Sequence, residues 1–373
     1  MAELSFLLAG GGSAGHVNPL LATAAELRRR HPEARIEAVG TETGLEADLV
    51  PAAGFKLNTI PRVRIPRRPS SELLTLPGRL RSALAKAREL MDEIKPSVVI
   101  GYGGDLSFPA YRAAFAAGIP VVVHEQNARP GLANRYAARR AAVVAVTFAS
   151  TPLEAKRGRR VITGLPLRAP VAALSARRAA GEAGRARAEA ATELGLEEDR
   201  ATLLVTGGSL GAVSINLAAA GAAASLTDYQ VLHLTGRGKD RDVSEILGAA
   251  GKPRHYHVRE YLSDMHLAYA VTDLALTRAG AGMVSELAAL GIPAVYVPLP
   301  VGNGEQRLNA QEVVAVGGGI LLDDADLTPE WVAQSIVPLL ADRDTLAEMG
   351  RRAAGAGPAD GASRLADEIE TLT

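Results

Sequence analysis

The chain has no cysteine among its 373 residues. That excludes disulfides, thiolate metal sites and a cysteine nucleophile, and it fits a reducing cytoplasm. It also lacks an excess of either charge, because 41 Lys and Arg match 41 Asp and Glu. Bulk charge therefore says nothing about partners, and electrostatic steering has to come from local patches. Long apolar runs are missing too. The opening stretch up to Ala9 is apolar, but it is too short for a membrane span and has neither a basic start nor a cleavage site. It reads as a buried first strand, and a soluble or peripheral protein is expected.

What is present is ordinary for a globular enzyme, with 47% hydrophobic and 22% charged residues. The length exceeds one typical core and points to two domains. Short apolar runs at 4–9, 35–39, 97–100, 120–123 and 142–146 read as buried strands, and so do runs at 201–206, 230–234, 273–276 and 293–297. Ala-rich helical stretches separate them, the pattern of parallel sheets covered on both faces. Gly118-Ile119-Pro120 recurs as Gly291-Ile292-Pro293, each a helix-ending glycine before a strand-opening proline. The architecture reads as duplicated α/β, with a boundary near Gly164-Leu165-Pro166. Residues 172–195 read as one solvated helix and 353–361 as a linker before a last amphipathic helix.

Three glycine-rich turns carry the chemistry. Gly10-Gly11-Gly12-Ser13-Ala14-Gly15-His16 joins the first strand to a helix. Such turns let backbone approach a ligand, and the free amides and dipole of the helix start favour an anion. The spacing also satisfies G-x-G-x-x-G, but the second strand ends Ala38-Val39-Gly40-Thr41 with Glu42 displaced, which argues against a dinucleotide. Thr206-Gly207-Gly208-Ser209-Leu210-Gly211 repeats the arrangement, and Ser209 could donate to a phosphate. Arg278-Ala279-Gly280-Ala281-Gly282-Met283-Val284-Ser285-Glu286 follows another strand. Glu286 could pair with vicinal hydroxyls of a ribose, and Arg278 offers a cationic fork for phosphate. A charge that merely favours a helix start is the plainer reading of Glu286. Asp324-Ala325-Asp326 imitates a metal-binding D-x-D but precedes the helix start Thr328-Pro329-Glu330, and His255 and His257 lack a third ligand. No metal site is expected.

In order and spacing, six segments resemble the MurG family of bacterial cell-wall glycosyltransferases. They are Gly11 to His16, Gly101-Tyr102-Gly103-Gly104, His124-Glu125-Gln126-Asn127, Gly207 to Gly211, Arg278 to Ala281, and Glu305-Gln306-Arg307-Leu308-Asn309-Ala310. The resemblance covers nearly the whole chain. It implies two Rossmann-like domains facing a cleft, the glycosyltransferase B fold. An acceptor and membrane domain would span 1–165 with a returning helix at 355–373, and a donor domain 166–354. The implied reaction is inverting transfer of N-acetylglucosamine from UDP-N-acetylglucosamine to the 4-hydroxyl of the muramyl-pentapeptide of lipid I, giving lipid II in peptidoglycan synthesis. No cofactor and no nucleic acid are implied, and cell-wall or division proteins are implied as further partners.

The resemblance also assigns residues. Glu286 would bind the ribose. Ser209, Ala281, Gly282 and Met283 would hold the pyrophosphate, with Arg278 and Arg168 nearby. Leu262 and Met265 would pack the uracil, and Gln306 and Asn309 would face the donor sugar. Gly12, Ser13, Ala14, Gly15, His16, Gly103, Gly104 and Asn127 would line the acceptor side. The chain departs from the family at Asp105, Leu165, Met283 and Glu305. A sugar hydroxyl is a poor nucleophile and needs a general base. His16 suits that role by its ordinary pKa, and Glu125 is the second candidate. His124 reads as the cap of a buried strand.

Residues 61–88 hold Arg62, Arg64, Arg67, Arg68, Arg79, Arg81, Lys86 and Arg88 among Val63, Ile65, Leu73, Leu74, Leu76, Leu80 and Leu84. A solvated loop and helix is the plain reading. A lipid-linked acceptor raises another, in which the segment docks on the anionic cytoplasmic face of the cell membrane. Two rivals remain open at this point. A glycolipid or antibiotic glycosyltransferase of the same fold explains the Glu286 region but not the His124 to Asn127 segment with Gly103-Gly104. A non-enzymatic nucleotide-binding protein explains only the glycine turns.

Overall fold

The structure is a computed structural model that describes residues 4–63, 72–208 and 211–373, without the side chains of 72–74. The chain divides into two compact units, Met1–Arg168 with Asp360–Thr373, and Ala169–Ala359. The changeover falls at 168/169 and the return at 359/360, a few residues from the boundaries read from sequence.

The first unit holds β1 (Ser5–Ala9), β2 (Arg35–Gly40), β3 (Lys56–Thr59), β4 (Val98–Gly101), β5 (Val121–Glu125), β6 (Val143–Val146) and β7 (Arg159–Ile162). They form one sheet in the order β3-β2-β1-β4-β5-β6-β7, and each pairing is parallel. Its helices are α1 (Ala14–Arg30), α2 (Leu45–Ala52), α3 (Glu72–Ile94), α4 (Gly104–Ala116) and α5 (Leu132–Ala137). The second unit holds β8 (Thr202–Thr206), β9 (Gln230–Leu234), β10 (Tyr256–Arg259), β11 (Leu274–Thr277), β12 (Ala294–Tyr296) and β13 (Gly319–Leu321), in the order β10-β9-β8-β11-β12-β13. Its helices are α6 (Ala169–Ala179), α7 (Ala183–Leu194), α8 (Val213–Gly221), α9 (Arg241–Ala249), α10 (Met265–Val271), α11 (Ala281–Ala289), α12 (Glu305–Ala315), α13 (Pro329–Trp331), α14 (Val337–Ala341) and α15 (Arg343–Ala354). The final helix, α16 (Gly361–Glu370), returns to the first unit.

The apolar runs coincide with nine central strands, all buried on both faces. Four strands were not apparent from them, namely β3, β7, β10 and β13, and each is an edge strand. An edge strand has one partner and more solvent contact, so it need not be apolar. β7 reads Arg-Arg-Val-Ile, and β3 reads Lys-Leu-Asn-Thr.

The stretch 172–195 is two helices rather than one. Gly181 takes a left-handed φ of 82° between α6 and α7, and Val171, Leu174, Ala186, Ala190, Ala191 and Leu194 are buried. Alanine hid that face, because a small residue looks the same on a packed side as on a wet one. The two Gly-Ile-Pro segments behave alike. Gly118 and Gly291 take left-handed φ of 71° and 61°, and the following isoleucine amides bond back to the carbonyls of Ala114 and Leu287.

α16 is held to the first unit by an apolar face and a charged rim. Leu365, Ala366 and Ile369 are fully buried in the core layer that contains Phe6, Leu8, Leu20 and Leu27. Arg30 bridges Asp367 and Glu370 at 2.6 and 3.0 Å, and Arg159 pairs with Glu368. There is no room for a Cβ at Gly361, where it would lie 2.4 Å from the Leu165 carbonyl. The rim is half-exposed and contributes little, so the apolar face holds the helix. Ile369→Ala should therefore cost about 2–5 kcal/mol. Urea unfolding of the first unit should show it as a lower midpoint, and an unchanged midpoint would show the helix to be dispensable.

Candidate active site

In each sheet the strand order reverses direction at one place, between β1 and β4 and between β8 and β11. Ligands of open parallel sheets bind at the carboxyl ends of the strands beside such a reversal. The four segments that leave those ends are Gly10–Gly15, Gly103-Gly104, Thr206–Gly211 and Arg278–Gly282. All four are among the turns singled out from sequence. A cavity of about 730 Å³ lies elsewhere, against Ala201, Asp273 and Pro293 at the amino ends of β8, β11 and β12.

The first turn is organised by a residue that the sequence did not single out. Glu46, in α2, is fully buried, and its Oε2 accepts from the Gly12 amide at 2.8 Å. Its Oε1 accepts from the Thr41 amide at 3.0 Å and from the Thr41 hydroxyl at 2.8 Å. A Cβ at Gly11, Gly40 or Gly44 would lie within 2.5 Å of this side chain, so those glycines make room for it. Burial pushes the carboxyl pKa up, but the donors from Gly12 and Thr41 outweigh it and hold it below its ordinary value. This corrects the expectation that the turn's amides await a ligand, because the Gly12 amide already serves an internal anion. Glu42, the acid nearest the end of β2, is exposed, and Glu46 is turned into its own loop.

His16 lies in the first turn of α1, half-buried. Its Nδ1 is 3.2 Å from the Gly11 carbonyl and 3.0 Å from the Ser13 hydroxyl. Gly104 packs beside it, where a Cβ would lie 3.5 Å from the imidazole Cε1. Gly103 and Gly104 both take positive φ, 82° and 77°, as the turn from β4 into α4 requires. Ser107, also unforeseen, is buried and donates its hydroxyl to the carbonyls of Ala9 and Gly103, which ties the two turns together. Gly12, Ser13 and Gly15 are exposed and Ala14 is half-buried, and Asp105 sits exposed in the first turn of α4.

Glu125 ends β5 and is buried. It is 3% exposed, its Oε1 accepts from the Asn127 amide, and its Oε2 accepts from the Gly131 amide and the Asn134 side chain. Burial raises its pKa against those donors. Both oxygens hold the turn that carries Asn127. His124 is fully buried between the Gly164 carbonyl and Gln126, and burial lowers its pKa to about 4.

In the second unit, the Thr206 hydroxyl accepts from the Gly208 amide at 3.2 Å. Gly211 takes φ of 65° where a Cβ would lie 2.2 Å from the Thr235 carbonyl. Ser209 lies outside the described residues. Beyond β11, Glu286 is 7% exposed, and its Oε2 accepts from the hydroxyl of Tyr269 at 2.6 Å. Tyr269 was not foreseen. It also lies 3.5 Å from the sulfur of Met283, one of the departures from the family. Gly280 caps α11, so the first amides of Ala281, Gly282 and Met283 have no acceptor within the helix. Leu262, in the loop before α10, and Met265, the first residue of α10, are half-buried. The Gln306 side-chain carbonyl accepts from the Leu299 amide, and Asn309 is buried with its amide on the Ala279 carbonyl. Arg168 is half-buried at the end of the first unit.

Arg278 is a second correction. Its Nη1 donates to the carbonyls of Val297 and Pro298 and to Asp324, and its Nη2 donates to Ser214. Asp324 also accepts from Ser214 at 2.6 Å. The guanidinium is 9% exposed and internally neutralised, so it ties β11 to β12 and to the 324–326 turn instead of offering an open fork. Among the described residues no three His, Cys, Asp or Glu side chains cluster as metal ligands.

Of the basic segment, Arg64, Ile65, Arg67 and Arg68 lie outside the described residues, as do the side chains of Leu73 and Leu74. Val63 is 5% exposed and packs inward, which removes it from any lipid-facing set. Leu76, Leu80 and Leu84 are half-buried, while Arg79, Arg81 and Arg88 are exposed. No described helix is long and apolar enough to cross a membrane.

The class follows from these frames and from comparison with known proteins. Residues 6–146 match the family model "Glycosyltransferase family 28 N-terminal domain", and residues 202–365 match "Glycosyltransferase family 28 C-terminal domain". The chain belongs to glycosyltransferase family 28, with the glycosyltransferase B fold. Within it, the chain is 51% identical over 362 residues to the UDP-N-acetylglucosamine--N-acetylmuramyl-(pentapeptide) pyrophosphoryl-undecaprenol N-acetylglucosamine transferase of a Nocardioides species, covering 96% of each chain. It is 47% identical to the enzyme of that name from Bifidobacterium longum, covering 98% of this chain and 97% of the relative. The crystal structure of Acinetobacter baumannii MurG superposes with a TM-score of 0.76 at 26% identity, covering 99% of each chain. The chain is therefore a member of the MurG family.

Two buried histidines make the fold acid-sensitive. Burial lowers the pKa of His124 to about 4 and that of His233 to about 3, from an ordinary 6.5. The unfolded chain takes up these protons first, so their contribution is complete above about pH 6.5 and is lost as pH falls toward 4. Chemical denaturation at pH 7.5 and pH 5 should differ by a few kcal/mol. His124→Gln should flatten that slope, and a slope equal to wild type would remove His124 from the account.

Proposed function

We propose that the chain transfers N-acetylglucosamine from UDP-N-acetylglucosamine to the 4-hydroxyl of lipid I, forming lipid II, by a single inverting displacement. The observation that carries this reading is the pair of turns at the strand-order reversals, with His16 in the first unit and the Glu286–Tyr269 pair in the second, in a chain about half identical to transferases of that name. Glu286, oriented by Tyr269, takes the vicinal hydroxyls of the ribose. The first amides of α11 and the second glycine turn meet the charge that develops on departing UDP. With Arg278 committed to Asp324, Arg168 is the remaining cation of the original set. UDP is a good leaving group that needs charge stabilisation more than protonation, and the reading includes no metal. His16 removes the proton from the acceptor hydroxyl as the new bond forms. Leu262 and Met265 pack the uracil, and Gln306 and Asn309 fix the loops around the sugar.

Transfer from labelled UDP-N-acetylglucosamine to a lipid I analogue tests the whole. Wild type should give labelled lipid II. His16→Ala should lose about 10²–10⁴-fold in kcat with little change in KM for the donor. Glu286→Ala should instead raise that KM. No product from wild type would overturn the function, and near wild-type turnover of His16→Ala would remove the base.

The same reading places the protein at the cytoplasmic face of the membrane. The exposed Arg79, Arg81 and Arg88 of α3 meet anionic headgroups at about 1 kcal/mol each. Vesicles with anionic lipid should carry the chain upward in a flotation gradient, and neutral vesicles should not. Equal flotation after all three arginines are changed to Ser would count against this surface.

A further inference from the structure

We propose that Glu46 is the positioning residue for His16, and that it acts through the single peptide group joining Gly11 to Gly12. This rests on the reading of His16 as the base. The Gly12 amide donates to Glu46 Oε2 at 2.8 Å, and the carbonyl of that same peptide, on Gly11, lies 3.2 Å from His16 Nδ1. A carbonyl only accepts, so Nδ1 carries the proton in this contact and the basic lone pair sits on Nε2. The Ser13 hydroxyl, 3.0 Å from Nδ1, can donate or accept, so it leaves the tautomer open and the carbonyl decides it.

The two hydrogen bonds are coupled through one conjugated unit. A carboxylate drawing on the amide hydrogen pushes electron density onto the carbonyl oxygen, which strengthens its hold on Nδ1–H. The arrangement does the work of a carboxylate bonded directly to an imidazole, with a peptide inserted between them. Proton bookkeeping stays simple. The acceptor hydroxyl loses its proton to Nε2 and forms the bond to the anomeric carbon. The bond from that carbon to the pyrophosphate oxygen breaks, and UDP leaves with the electron pair. Glu46 neither gives nor takes a proton; it orients the ring and offsets the charge of the imidazolium.

The geometry also accounts for the crowding of glycines about this carboxylate. Gly11, Gly40 and Gly44 each leave space that a Cβ would fill. The side chain is fully buried and has no reach to a ligand, so its influence on chemistry has to pass through the backbone.

The test is the ring-nitrogen shifts of His16 in the full-length chain labelled with ¹⁵N-histidine, assigned by the peak that His16→Ala removes. Wild type should show Nδ1 protonated and Nε2 bare at high pH. Glu46→Gln keeps the size of the side chain and removes its charge. It should shift His16 toward a mixture of tautomers and lower kcat about tenfold, with the donor KM near wild type and the buried His124 and His233 peaks unmoved. Wild-type His16 shifts in Glu46→Gln would overturn the proposal. Ser13→Ala decides independently, even where Glu46→Gln does not fold. It should keep the Nδ1–H form, and loss of that form would assign the tautomer to Ser13. Turnover by His16→Ala would sink the base reading alone, because the shifts report on Glu46 whichever residue takes the proton.

Discussion

The start of a helix leaves amides without acceptors and a partial positive charge, and both units of this protein are arranged around how that demand is met. In the first unit the turn just ahead of the helix start holds an anion of the chain's own. Glu46 folds under the turn from β1 and takes the Gly12 amide, and the backbone on every side of the carboxylate is glycine or Thr41. In the second unit the amides at the start of α11 follow a glycine cap and a buried, neutralised arginine. Turns that look alike in sequence thus differ in electrostatics, one built around its own carboxylate and one following a buried arginine.

The same economy governs Arg278. Burying a guanidinium is costly unless its donors are matched, and here two carbonyls and Asp324 take Nη1 and Ser214 takes Nη2, while the buried Nε has no partner. Once matched, the group is part of the frame. It fixes where β11 ends relative to β12 and so where α11 begins. Beside that helix start lies the carboxylate of Glu286, which accepts from the Tyr269 hydroxyl. Glu125 shows the pattern again, with an anion that spends its oxygens on two backbone amides and an asparagine to hold the turn in which Asn127 sits.

Much of this was legible in the sequence, and what was not has a common cause. The nine strands with two neighbours each were visible as apolar runs, because a strand buried on both faces cannot be otherwise. The four edge strands were invisible for the complementary reason. The glycine turns were visible because only glycine fits there, but the sequence does not say what the glycines make room for. Glu46 lies 34 residues from its partner Gly12, and Asp324 lies 46 from Arg278. A residue's partner is a fact of tertiary proximity, and residue type alone left Arg278 and Glu125 looking like ligands' groups. Alanine-rich α6 and α7 failed for another reason, since their packed face carries no hydrophobic contrast.

A carboxylate already inside the first turn constrains how a second anion can be bound there. Two unit charges about 5 Å apart repel by roughly 3 kcal/mol at an effective dielectric of about 20. An acceptor pyrophosphate sharing the Gly12 amide would bear that penalty and compete for a donor already engaged. Under the proposed function the acceptor's phosphates would be met further along, at the amides of Ala14 and Gly15 or by side chains, and the part of the turn nearest Glu46 would be left to an uncharged group. A sugar hydroxyl is such a group, and in the proposed reaction the proton it gives up would turn His16 into a cation. Such a cation gains from a buried carboxylate nearby. The internal anion is thus badly placed to hold a phosphate and well placed to support a base.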